Sequence, residues 1–203
     1  MSRSGGVEGN ERLTSTVGLV LVLLLGAEAV TAIDLHDLLP VHLFLGMLLL
    51  PPVALKLAST GWRFTRYYTR NARYREAGPP RWALRLLAPE LVVSGLLLFG
   101  TGVAFLLVGH GGGWLLTIHA GSFVAFGVLV SIHTLAYLSR VLRLGFSDWR
   151  LRGPRPLGSG LRRAALIVAL VAGVAVAGAT YTVQSSWISH RHHHHHDFRD
   201  AAR

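Results

Sequence analysis

Inside the long apolar runs of this chain stand Glu28, His42, Lys56, His119 and His133. Ionisable groups are expensive in hydrocarbon, so each is a candidate for function. His119 and His133 lie on what reads as one helix, fourteen residues apart. At 3.6 residues per turn, that spacing brings the second imidazole to within about 40° of the first, about 21 Å further along the axis. Two imidazoles so placed can each address a planar, metal-centred group near opposite sides of a bilayer. A group held between helices also needs a ligand from a facing helix at the same depth. His42 lies a few residues inside the start of the second apolar run and matches the depth of His119. At the depth of His133, the second run carries Lys56 instead of a histidine. Two other readings stay open: interhelical hydrogen bonding, the ordinary use of a membrane histidine, and another metal or proton pathway.

The elements that must position these residues are apolar runs at about 13–33, 38–60, 91–108, 114–138 and 164–183. The 203 residues are 51% hydrophobic and 15% charged, against about 25% charged in soluble domains. Runs of roughly 20 apolar residues without strict alternation predict transmembrane helices rather than barrel strands. The expected fold is all-α, an integral membrane bundle of about five helices over 13–186, with a polar N-terminus at 1–12 and a histidine-rich tail at 187–203. A cleaved signal peptide competes for the first run, because Val30-Thr31-Ala32 resembles a cleavage site. The length of the run, and Glu8 and Glu11 before it, favour a retained helix. Pro51 and Pro52 remove ladder hydrogen bonds and predict a bend in the second helix. The Gly/Ala-rich stretch 172–178 suits close helix packing.

The formal charge of +10 is concentrated in two connections. Arg63, Arg66, Arg70, Arg73, Arg75, Arg81 and Arg85 occupy one; Arg140, Arg143, Arg150, Arg152, Arg155, Arg162 and Arg163 occupy the other. The connections at 34–37 and 109–113 hold no Lys or Arg. This is the positive-inside pattern, which predicts a cytoplasmic N-terminus, an extracytoplasmic C-terminus and no role in nucleic-acid binding. The expected location is a multi-pass protein of the bacterial plasma membrane. Trp62, Phe64, Tyr67, Tyr68 and Tyr74 among the arginines read as an interfacial segment on anionic lipid. The absence of cysteine excludes disulfides, thiolate metal sites and iron–sulfur clusters from this chain.

Ligand positions about fourteen apart on the second and fourth runs resemble the transmembrane b-type cytochromes of the ferric reductase-like and cytochrome b561-like families. The segments His119-Ala120-Gly121-Ser122-Phe123 and Ser131-Ile132-His133-Thr134-Leu135 carry the likeness. The stretch 41–138, with Lys56-Leu57-Ala58-Ser59-Thr60-Gly61-Trp62-Arg63-Phe64 and Arg66-Tyr67-Tyr68, also resembles small actinobacterial membrane proteins. The resemblance implies haem b, with His42 and His119 as axial ligands near the outer face. It places His133 at an inner haem, where Lys56 replaces the matching histidine. Lysine ligates only as the neutral amine; the blander reading has Lys56 snorkel to the inner surface. Nothing here resembles the flavin- and nicotinamide-binding domains of ferric reductases, so the expectation is an electron-transfer subunit, an oxidoreductase component with quinone or a redox protein as partner. The alternatives are a haem-free membrane protein handling divalent metal and a structural subunit of a membrane complex.

Glu28 reads either as a proton carrier or orienter of a histidine ligand, or as a protonated carboxyl bonded to a neighbouring helix. His36 and His110 read as interfacial residues. His192, His193, His194, His195 and His196 form a tail tract able to bind a divalent metal through neutral imidazoles. No phosphate-cradling loop, nucleophile elbow, HExxH motif or catalytic carboxylate pair is present, and no catalytic residue is assigned.

Overall fold

The computed structural model describes residues 6–76, 78, 82–108, 113–149 and 157–185, which are helices and short turns with no strand among them. Five of the helices are long and apolar enough to cross a membrane. In chain order the helices are α1 (Val7–Ile33), α2 (Leu35–Tyr68), the short α3 (Ala72–Glu76), α4 (Trp82–Val108), α5 (Gly113–Gly145) and α6 (Ser159–Ala179), with a single 3-10 turn at Ser147–Trp149 before α6. The chain is therefore an all-α, multi-pass bundle suited to a lipid bilayer. Its outward faces stay apolar, with Leu23, Leu96, Leu107, Val124 and Val168 exposed. In water such a surface would aggregate; in lipid it is the matched solvent face.

α1 and α2 form an antiparallel hairpin joined through Asp34, whose carboxylate caps α2 by accepting from the backbone N–H of Asp37. α1 also packs on α5, α5 on α4, and α2 on α6, whereas α2 and α5 share almost no direct contact. One core cluster joins Val17 and Leu21 of α1 to Leu49 of α2 and Leu166 of α6. A second joins Met47 of α2 to Leu106 of α4 and Ala177 of α6.

α2 runs unbroken through Pro51 and Pro52. Proline 52 has no N–H, so the carbonyl of Leu48, four residues earlier, loses its helical donor. That carbonyl lies against Gly173 of α6, where the backbone approach leaves no room for a Cβ. A glycine Cα there covers the exposed oxygen and lets the two helices close. At the far end of α2 the chain turns with Arg70 in the left-handed region at φ 59°. The bonds Asn71 N–H to Arg66 O and Arg70 N–H to Tyr67 O close the helix as a Schellman turn.

The basic end of the bundle is cross-linked by polar contacts. Glu11 of α1 accepts from Arg63 of α2 at 3.2 Å and pairs with Arg140 of α5. Thr16 donates to the terminal carbonyl of α5 at Gly145, and Asn10 donates to Ser59 O. Asp148, almost wholly buried, receives both Nε (2.5 Å) and Nη2 (2.7 Å) of Arg162, a bidentate clamp between the 3-10 turn and α6.

Candidate functional site

Because α2 and α5 stand apart while α1 and α4 close the sides, a cavity of about 610 Å³ opens among the four helices. It falls within the size range of small-molecule and cofactor pockets, about 300–1,000 Å³. His42 enters from α2 and His119 from α5, each within the first turns of its helix, so both lie near the end of the bundle away from the arginine-rich connections. Most of the remaining lining is apolar, including Leu43, Leu50, Phe99, Val103, Phe123 and Phe126. Gly26 and Gly127 also line it, and a Cβ added at either meets no atom within 4 Å. The walls thus leave backbone open at these two positions.

Both imidazoles are fixed through Nδ1. His119 Nδ1 lies 3.1 Å from Leu98 O and 3.1 Å from Thr101 Oγ1, both on α4. A carbonyl only accepts, so His119 Nδ1 carries the proton and donates. Thr101 spends its own hydroxyl proton on Leu97 O (2.5 Å), leaving its oxygen to accept from the ring. Gly102 makes this seat, because a Cβ there would come within 3.1 Å of His119 Cε1. His42 is held in the same way from α1: its Nδ1 lies 3.0 Å from Thr31 Oγ1 and 3.2 Å from Glu28 Oε1. Thr31 donates to Glu28 O at 2.7 Å, so its oxygen also accepts. With Glu28 ionised, both neutral rings carry hydrogen on Nδ1 and a lone pair on Nε2. No described residue bonds either Nε2. Two such nitrogens, on opposed helices of one apolar cavity, are of the type that can ligate a metal ion.

The other sequence candidates are placed differently. Neither His133 nor Lys56 lines the cavity. Lys56 Nζ turns to α1 and donates to Thr14 O at 2.6 Å, in space left by Gly18. Its amino group thus has a partner inside the protein. His133 Nδ1 is buried without a hydrogen-bond partner, and the ring sits 5.0 Å from Tyr137. His36 pairs with Asp37 at the exposed α1–α2 turn. His110 and the tail tract His192–His196 lie outside the described residues. Among the described residues, no group of three or more His, Asp or Glu side chains is arranged to hold a metal ion.

Thr31, Leu98 O, Thr101 and Gly102 were not expected from the sequence. Thr31, three residues after Glu28 on one helix face, was the most accessible of them. Comparison with protein-family models, curated proteins and solved structures finds no match.

Proposed function

We propose that this chain is a membrane b-type cytochrome, an electron-transfer protein with one haem b held by His42 and His119. The observation that carries this reading is the pairing of two imidazoles across a single cavity, each with Nδ1 given to an acceptor and Nε2 left open. A metal-binding histidine characteristically donates its other ring N–H to a carboxylate or carbonyl, which fixes its tautomer and raises its basicity. Glu28 with Thr31 does this for His42, and Leu98 O with Thr101 does it for His119. When bound, the haem iron would supply one-electron chemistry. The chain's own contribution is to orient both ligands, to exclude water with leucine and phenylalanine walls, and to set the polarity around the site.

The reading is limited to one haem, because Lys56 is committed to Thr14 O and His133 lies outside the cavity. A single centre near one face suits exchange with a quinone or a redox protein at that face. The positive-inside pattern assigns that face to the extracytoplasmic side.

The test is optical. Protein purified in mild detergent after expression with ample haem should show sharp reduced α and β bands and a pyridine haemochrome of about one haem b per chain. His42→Ala or His119→Ala should abolish the low-spin spectrum, and Lys56→Met should leave it unchanged. A folded protein without a Soret band defeats the proposal. A ratio near two that falls with Lys56→Met restores the inner haem.

A further inference from the structure

At the basic end of the bundle lies a second, open-sided cavity of about 750 Å³. It is bounded by the start of α1, the end of α2, α3 and the start of α6, and is remote in the fold from His42 and His119. Arg66, Arg73 and Arg162 line it, and among the described residues no Asp or Glu does. Arg162 is neutralised by the buried Asp148. Arg66 and Arg73 belong to none of the ion pairs found among the described residues.

Arg66 is held for binding. Its guanidinium lies over the Trp62 ring, 5.1 Å from the centroid, one helical turn back on α2. Stacking fixes the plane of the group and leaves its N–H edge free for an acceptor. Its Nε is buried without any hydrogen-bond partner. A buried charged donor left unmatched is costly. Arg73 stands on the exposed side of α3, while Tyr74 is buried and anchors that short helix. One wall is apolar, through Leu13 and Leu161.

We propose that this cavity binds a phosphate group, carried by an anionic phospholipid headgroup or by a soluble phosphate ester. The guanidinium fork matches phosphate oxygens in a bidentate way, and the size is that of a small-molecule site. The apolar wall and the position at the end of membrane-spanning helices suit a lipid, whose glycerol and upper acyl carbons lie beside its phosphate. Binding here is independent of any haem.

Thermal unfolding of the full chain in mild detergent tests the proposal, since a ligand that binds only the folded state raises the midpoint. Phosphatidylglycerol should raise it and phosphatidylcholine with the same acyl chains should not. The combined Arg66→Gln and Arg73→Gln variant should lose the shift, and Arg75→Gln, outside the cavity, should keep it. Protection by inorganic phosphate, also lost in the double variant, assigns the site to soluble phosphate; protection by the lipid alone assigns it to the headgroup. If the double variant does not fold, Gly6→Phe replaces it, because a Cβ at Gly6 enters open space beside the cavity and leaves both arginines intact. That variant should also lose the shift. No lipid or phosphate effect in the wild type, or an effect that survives these substitutions, overturns the proposal.

Discussion

The two histidines of the apolar cavity differ in how their orientation is secured, and the difference can be measured. His42 depends on two side chains of α1, Glu28 and Thr31. His119 rests on a backbone carbonyl, Leu98 O, with Thr101 as a second acceptor. No side-chain substitution removes a carbonyl. Combined Glu28→Ala and Thr31→Val should therefore weaken haem retention by about 10–100-fold, the usual effect of losing such supports. Thr101→Val should cost much less, because Leu98 O still fixes the ring. Haem titration of each purified variant decides, and the reverse order would refute the tautomer argument. The spacing of His42, His119 and Glu28 was legible in the sequence because helical depth follows from counting residues. Their partners on neighbouring helices were not, because the register of α1 against α2 and of α4 against α5 is set by packing. Lys56 shows the same limit: its depth could be counted, but its turn toward Thr14 O depends on the space at Gly18.

At the level of the helices, hydropathy located all five spans but not their ends. α2 continues to Tyr68 and α5 to Gly145, beyond the apolar runs. Backbone hydrogen bonding persists after the side chains become polar, so the helix outlasts the signal that reveals it. The prolines were visible too, but the sequence could not show that the Leu48 carbonyl freed by Pro52 lies against Gly173. This contact carries a prediction for the packing of α2 on α6. A Cβ at Gly173 would meet backbone atoms of Leu48, which cannot rotate away. Gly173→Ala should therefore destabilise the protein by about 1–3 kcal/mol, the usual cost of overpacking. Gly178→Ala, on the same helix, adds a Cβ that meets nothing within 4 Å. It should be neutral or stabilising by about 0.5–1 kcal/mol, because alanine is the better helix former. Thermal midpoints in one detergent compare the two, and equal losses would mean that α6 does not rest on α2 through Gly173.

Across the whole molecule, the polar features separate by end. The cavity with His42 and His119 opens near the turn at Asp34, whereas the Glu11 ion pairs, the Asp148–Arg162 clamp and the arginine-lined cavity occupy the opposite end. The structure fixes this polarity of the bundle, and the positive-inside pattern predicts its direction in the membrane, with the arginine-rich connections on the cytoplasmic side. The direction can be tested cleanly because the chain has no cysteine, so any thiol introduced is the only one to be labelled. His36→Cys places a thiol at the exposed α1–α2 turn, and Arg75→Cys places one on the exposed face of α3. In intact cells, a membrane-impermeant maleimide should label the first and spare the second. After permeabilisation both should react, which shows that Arg75→Cys is present and accessible. Labelling in the opposite order would invert the topology. The cavity of His42 and His119 would then open toward the cytoplasm, and the arginine cavity would face the outer leaflet.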